Sequence, residues 1–439
     1  MNKITVDFNK ETRAIKPMHS TNNGPIKGTG FGGQKTSIPE FWKQAGIPYA
    51  RNHDAAFCAA YGGEHTVDIT NIFPNFDKDP YDENSYDFIV TDEYIRFTLE
   101  CGTQTFYRLG QKIDHRIKKY DPIPPKDFKK WAVICEHIIR HYNEGWANGF
   151  NYGIEYWEIW NEPDLDPEDA TNKRTWTGTQ VQFFELYETA ATYLKNCFPN
   201  LKIGGPACAF REPWFIKFLN YITRDGKKVP LDFFSWHCYG STPEKMFDRS
   251  KFIRNKLDEF GFAETESILN EWNYIKSWDE FIYSVKQVIS IKGAAFTAAC
   301  MCGAQSLTDI DMLMYYDARP CAYNGLFDFY TKEPLKGYYP FRMFNTLYSL
   351  GKGCECITEG DNIYAAAAKD EKGNSAVMFS YFIDDDNNTA DKIIELDIEG
   401  GKAEYQMYLL DKDHSEQLMG NVSSKQTITL TPNSVVLLK

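Results

Sequence analysis

The 439-residue chain carries 61 acidic against 48 basic residues, a formal charge of -13 that repels nucleic acid and anionic lipid rather than steering toward them. Hydrophobic residues at 43% and charged residues at 25% match an ordinary globular enzyme, one able to bury a large core without metals or disulfides. The 11 cysteines are an odd number in mostly apolar settings such as Phe57-Cys58-Ala59 and Ala299-Cys300-Met301-Cys302, where reduced thiols act as small hydrophobes, so a reducing compartment is expected. The N-terminus lacks an apolar signal core and no window reaches membrane-spanning length, so the chain reads as cytoplasmic with no membrane partner.

In chain order, Ile4 to Phe8 reads as a strand that precedes the main body and can join the sheet at the other end of the chain. From about residue 16 to 350, apolar runs alternate with helical patterns, the signature of βα units. Eight strands are expected near 16–20, 47–52, 103–108, 154–161, 201–206, 231–238, 266–271 and 308–316. Helices are expected over Asp127 to His141, Thr179 to Lys195, Lys251 to Phe260, Trp278 to Gly293 and Tyr339 to Leu350. Together these predict an α/β fold, a (β/α)₈ barrel over 16–350. Beyond it, short alternating runs at Ile363 to Ala368, Ala376 to Phe382, Ile393 to Ile398, Tyr405 to Leu410, Thr427 to Leu430 and Val435 to Leu438 predict a β-sandwich over 351–439, with 1–15 adding an edge strand.

Two apolar runs end on an Asn-Glu pair, Trp157-Glu158-Ile159-Trp160-Asn161-Glu162-Pro163-Asp164 and Ile268-Leu269-Asn270-Glu271-Trp272-Asn273, and their glutamates lie 109 residues apart. Glycosidic cleavage needs one acid to protonate the leaving oxygen and one carboxylate to meet the positive charge on the sugar, and two glutamates at strand ends of a barrel supply both. Strand alternation puts Tyr156, Glu158, Trp160 and Glu162 on one face. Glu158 then points into the barrel as a structural carboxylate for a neighbouring base such as Arg51, and Asn161 reaches the cleft only if the strand ends or bulges, with Pro163 enforcing the stop.

The chain resembles glycoside hydrolase family 39 of clan A, the retaining (β/α)₈ enzymes, through Trp157 to Asp164, Leu269 to Asn273, Ser235-Trp236-His237-Cys238-Tyr239, the Asn22-Asn23-Gly24-Pro25 turn, and Arg51 with His53. The resemblance implies that Glu162 is the general acid and base, that Glu271 is the nucleophile, and that Asn161 binds the hydroxyl beside the reacting carbon. It also implies that His53 and His237 line the same subsite, each being otherwise a core histidine. Tyr239 and Arg51 near Glu271 are expected to lower its pKa, and the charge of Glu271 to raise that of Glu162; for Arg51 a purely structural bridge to Glu158 stands beside that contact. The end of the eighth strand departs from the pattern: where clan members place a Trp, this chain has Tyr315-Tyr316-Asp317. Tyr316 is a candidate replacement, Asp317 and Asn324 are candidates for hydroxyl binding, and at least one of the two tyrosines must face away from the barrel.

Three weaker signals are set aside. Gly28 to Gly33 fits GxGxxG but lacks a preceding strand and reads as a rim loop, His137 and His141 lack the HExxH glutamate, and Cys300-Met301-Cys302 and Cys354-Glu355-Cys356 lack a two-residue spacer. The implied activity is a retaining exo-glycosidase for terminal β-D-xylosyl or α-L-arabinosyl residues of short oligosaccharides, with no cofactor or metal and with a homo-oligomer as an option. An endo-glycanase of the same clan and an inactive glycan-binding protein are the rival readings.

Overall fold

Parallel strands Ser20–Asn22, Tyr49–Arg51, Gln104–Leu109, Tyr156–Ile159, Lys202–Cys208, Phe233–Gly240, Glu266–Tyr274 and Met312–Tyr315 pair in sequence, and the last pairs with the first to close a barrel. They are the first to eighth barrel strands below. The structure is a computed structural model describing residues 2–25, 38–54, 56–58, 62–64, 66–321 and 325–439, with the backbone alone for 56–58 and 62–64. The run Gly28 to Gly33 and Asn324 lie outside the described residues.

The barrel interior changes character along its axis. Its floor is an apolar plug of Phe106, Tyr156, Phe233, Ile268, Met312 and Met314, and beside the C-terminal strand ends the inward side chains are Arg51, Arg108, Glu158 and Asn270, all buried. Side chains of period two build both layers, so the polar set is held on rigid strands rather than on loops. Outside, Phe128–Glu144 is capped by Asp127, whose carboxylate accepts from the Lys129 and Lys130 amides, and Gln180–Cys197 starts with a reciprocal box between Thr179 and Gln182.

Apart from Ala56–Cys58 and Gly62–Glu64, which pair with each other, the remaining strands form one hydrogen-bonded order: Gln417–Ser423, Glu404–Leu410, Ser434–Leu438, Ser375–Tyr381, Ile363–Lys369, Lys352–Glu359, Asn2–Ala14, Lys392–Glu399 and Lys425–Leu430. Ile428 from one end and Val422 from the other pack into the same core with Val6, Phe8, Phe379 and Leu396, so the sheet folds over itself as a sandwich. Asn2–Ala14 lies parallel to Lys392–Glu399 and antiparallel to Lys352–Glu359, which ties the start of the chain into this module.

Several boundaries differ from the sequence expectation. The helix expected from Lys251 begins at Pro243, because proline suits a first helical turn. The stretch from Trp278 holds two helices, Phe281–Val288 and Ile291–Leu307, separated where Ser290 caps the second. Lys352–Glu359 and Gln417–Ser423 are strands that alternation missed: the first is interrupted by Gly353, and the second is an exposed edge holding Gly420.

Ile291–Leu307 is buried from Lys292 to Gln305, between the barrel and the sandwich strands. That position explains its Gly, Ala and Cys content, since a helix covered on all sides carries no apolar stripe and small side chains let neighbours approach. Cys300 and Cys302 are two of these small buried groups, and burial pushes both thiols up.

A polar knot closes the same interface. Asp384 of the sandwich accepts from the Tyr274 hydroxyl at 2.5 Å and pairs with Lys276, while Lys292 donates to the Asp384 carbonyl at 2.7 Å and pairs with Asp386. Lys292 is only 4% exposed, so its charge needs these partners. Asp384→Ala leaves the buried Tyr274 hydroxyl without its acceptor and the exposed Lys276 without its carboxylate, while Lys292 keeps the backbone carbonyl and Asp386, and it is expected to cost about 1 to 3 kcal/mol, nearly all of it from the stranded hydroxyl. A urea midpoint equal to that of the parent would refute this.

Candidate active site

Both Asn-Glu pairs reach the barrel mouth because the strands that carry them lose regularity there. The fourth strand ends at Ile159, and Trp160 (φ 75°) and Glu162 (φ 49°) take left-handed backbone. Trp160 is thereby turned outward against Trp131 and Trp176, contrary to simple alternation, and Asn161 and Glu162 both face the cleft. In the seventh strand, Leu269 pairs with Trp236 and Glu271 with His237, so Asn270 is an extra residue. This bulge lets Asn270 and Glu271, adjacent in sequence, both point inward.

Arg51 joins the two ends. Fully buried, it donates from Nε to Glu158 Oε2 at 2.7 Å, from Nη1 to Asn22 Oδ1 and Glu271 Oε1 at 3.0 Å each, and from Nη2 to Asn161 Oδ1 at 2.7 Å. The bridge to Glu158 and the contact with Glu271 are thus both present. Asn270 donates to the other Glu158 oxygen at 2.5 Å, and Asn22 donates to the Asn270 carbonyl.

The shell around the pair is equally constrained. Tyr239 donates to Glu271 Oε2 at 3.0 Å, and His237 Nδ1 stands 2.8 Å from Glu162 Oε1 and 3.4 Å from Glu271 Oε2. Arg108 donates to His53 Nδ1 at 3.2 Å, which leaves His53 Nε2 to carry the proton, facing Asp54 at 3.6 Å and Glu271 at 3.7 Å. Tyr316 donates to Asp54 at 2.7 Å, and Tyr315 faces away, packed on Trp272 and Phe341. Asp317 does not line the cleft: it is buried, accepting from Asn23 Nδ2 at 2.9 Å and Arg319 Nε at 2.7 Å, so the hydroxyl-binding role expected for it is taken up by an internal ion pair.

Burial pushes the carboxyl groups of Glu162 and Glu271 each up to about 7. For Glu271 this reverses the lowering expected from Arg51 and Tyr239: water is excluded more strongly than the cation compensates. Two such groups in contact titrate as a pair near neutrality and share one proton. Glu271 holds the direct bond to Arg51, so the proton belongs on Glu162. Burial also lowers His237 to about 4 and holds His53 well below the usual histidine range, so both rings are neutral.

One oxygen of Glu162, one of Glu271 and a ring nitrogen of His237 lie within 4.8 Å of one another. Two carboxylates and an imidazole are a ligand set that a divalent cation accepts. Arg51 already supplies the positive charge at Glu271, so the group is ion-paired without one. The cleft above them, about 600 Å³, is lined by His53, Asp54, Tyr316, Arg174, Lys245, Arg249 and Trp278 among others.

Sequence reasoning placed Glu162, Glu271, Asn161, Arg51, His53, His237, Tyr239 and Tyr316 together, and the structure brings all eight to one mouth. It missed Asp54, Arg108, Lys245, Arg249 and Trp278. Asp54 follows His53 directly and was open to inspection, whereas Trp278 was absorbed into a helix that begins at Phe281.

The sequence pattern of the glycosyl hydrolases family 39 matches residues 3–268. A β-xylosidase of Caldicellulosiruptor saccharolyticus is 29% identical over 255 residues, covering 54% of this chain and 46% of that protein. A β-xylosidase of Geobacillus stearothermophilus is 30% identical over 239 residues, covering 47% and 44%. The matched segment therefore spans less than half of either relative. Among solved structures, a glucosidase from Croceicoccus marinus superposes with a TM-score of 0.78 at 22% identity over 100% of this chain and 98% of that one. A monomeric β-xylosidase from Caulobacter crescentus CB15 does so with 0.68 at 15% over 100% and 99%. These two likenesses speak for the fold, and the pattern match over more than half of the chain settles the relationship: the protein belongs to the glycosyl hydrolases family 39.

Proposed function

We propose that the protein is a retaining exo-glycosidase that removes terminal β-D-xylosyl, or similarly configured α-L-arabinosyl, residues from short oligosaccharides by double displacement. The observation that carries this reading is the close approach of Glu162 and Glu271, one oxygen of each lying within 4.8 Å of the other. A retaining pair stands roughly 5 to 5.5 Å apart, and an inverting pair needs roughly 6.5 to 9.5 Å to admit water. That two relatives of this chain are β-xylosidases supports the sugar. A cleft of 600 Å³ lies within the roughly 300 to 1,000 Å³ typical of small-ligand sites, which supports a short substrate. Ten free thiols among the described residues support a reducing, cytoplasmic setting.

In this mechanism Glu271, ionised and held by Arg51 and Tyr239, attacks the anomeric carbon. Glu162 gives its proton to the departing oxygen. Glu162, now ionised, then takes a proton from water, which attacks the anomeric carbon and releases the sugar with Glu271 restored. Asn161, fixed by Arg51, is placed to meet the neighbouring hydroxyl through its amide NH₂, because its oxygen is already taken.

Glu162→Gln is expected to lose about 10²–10⁴-fold in kcat on an unactivated xyloside, with a much smaller loss in the first chemical step on a dinitrophenyl xyloside that needs no acid. Glu271→Gln is expected to lose activity on both. Near-parental turnover by either variant on the unactivated substrate would overturn the assignment, and the first-formed anomer, read by NMR, must be β. Release of internal fragments from a xylan would point instead to endo action.

The pH dependence follows from the shared proton. Glu162 must hold it, so kcat/KM falls as pH rises through about 7. A second proton, placed on Glu271 at lower pH, removes the nucleophile and gives the acid limb. In Glu162→Gln, assayed on the dinitrophenyl xyloside, the alkaline limb should vanish. Its persistence would assign that limb to another group.

A further inference from the structure

Cations near the reacting pair are mostly neutralised by acids: Arg51 by Glu158 and Glu271, Arg108 by Asp68, Arg174 by Asp166, and Arg319 by Asp317. Lys245 and Arg249 differ. Both line the cleft, one turn apart on the helix Pro243–Glu259, and among the described residues neither has a carboxylate within ion-pair distance. Lys245 Nζ donates to the Tyr239 carbonyl at 2.7 Å, and Arg249 Nη1 donates to the His237 carbonyl at 2.8 Å, with its guanidinium lying 4.8 Å from the Phe210 ring centroid. One carbonyl for a three-donor ammonium and one for a five-donor guanidinium leaves most of their hydrogen-bonding capacity unspent. In a chain of charge -13 with 61 acidic residues, two cations without acidic partners facing a cleft are unusual.

Their position says which part of a substrate they meet. In the proposed mechanism the sugar to be cleaved meets the side of the cleft formed by Arg51, at the end of the second strand, and by His53 and Tyr316, just beyond the second and eighth strands. Lys245 and Arg249 belong to the opposite side, with Ala209 and Phe210 after the fifth strand, where the Glu162 amide is bonded to the Ala207 carbonyl. That is the side of the proton donor, hence of the leaving group. Trp278, 63% exposed, set edge-on to Tyr239 with centroids 5.7 Å apart and stacked on Phe281 at 6.3 Å, adds an aromatic ring at the same rim.

We propose that Lys245 and Arg249 recognise an anionic group, a carboxylate or a sulfate ester, on the sugar that leaves, so that the preferred substrate is an acidic rather than a neutral oligosaccharide. Arg249, with its planar fork, meets the anion's oxygens side by side, and Lys245 adds a point charge. This rests on the glycosidase reading, but binding tests it apart from turnover.

The experiment is calorimetric titration of Glu162→Gln with three probes: xylobiose, the same disaccharide with glucuronate as its leaving unit, and one with a sulfate ester on its leaving unit. At least one acidic probe is expected to bind about tenfold tighter than xylobiose, with an advantage that shrinks as salt rises. The two acidic arms tell carboxylate from sulfate. Adding Lys245→Gln and Arg249→Gln should bring the acidic probes to the affinity of xylobiose; Lys245→Gln alone, at an exposed position, gives a partial loss and guards against misfolding of the double variant. Equal affinity for all three probes, no binding of either acidic probe, or a preference that survives both substitutions would overturn the proposal. Failure of the glycosidase reading appears elsewhere, as absence of xyloside hydrolysis by the unmodified protein.

Discussion

One buried guanidinium organises the mouth of this barrel. Removing a cation from water costs several kcal/mol even after relaxation, and the cost is met only when partners surround it with good geometry. Arg51 has such partners on the first, fourth and seventh strands: Asn22, Glu158 with Asn161, and Glu271. Each partner is constrained in turn, since Asn270 holds the second oxygen of Glu158 and Tyr239 the second oxygen of Glu271. Moving any of these groups strands a buried charge, so the separation of the two reacting carboxyls is a property of the whole ring. A lysine offers no planar fork, and its single ammonium could not reach four groups on three strands.

The second constraint is backbone strain. Left-handed residues other than glycine cost of order 1 to 3 kcal/mol and persist only where their surroundings dictate them. Trp160 and Glu162 are two such residues within three positions, and across the barrel the bulge at Asn270 interrupts a strand pair. Regular strands would send Asn161 and Glu162 to opposite faces, and likewise Asn270 and Glu271. The irregularities make neighbouring residues share a face, and the packing of Trp160 between Trp131 and Trp176 offsets part of their cost.

How much of this was open to reading in the sequence follows from the same distinction. Strand positions and the two-module plan depend on periodicity, which short-range pattern carries, whereas His237 and Tyr239 were placed at the site only by the family resemblance. The face of Trp160 and the bulge at Asn270 depend on tertiary packing, and alternation misassigned the first. Asp317 was misjudged because its partners, Asn23 and Arg319, are brought to it by strand closure and by the turn that follows, neither of which leaves a periodic trace. Lys245 and Arg249 were hidden for a related reason: a cation on a helix is ordinary, and only the missing acidic partner in the folded chain makes it informative.

The sandwich belongs to the same argument. Tyr274 lies three residues beyond Glu271 on the same strand, and Asp384 and Asp386 hold Tyr274, Lys276, Tyr283 and Lys292. These contacts bracket the loop that carries Trp278, and the Ile275 amide fastens its start to the Gly240 carbonyl at 2.9 Å. The rim of the cleft on the seventh strand is therefore clamped from the second module, at a point where the barrel alone would leave an exposed loop with few buried contacts. Asn2–Ala14, which precedes the barrel strands, pairs with Lys352–Glu359 and Lys392–Glu399, which follow them, so segments on both sides of the barrel in sequence join in the one sheet that steadies its mouth.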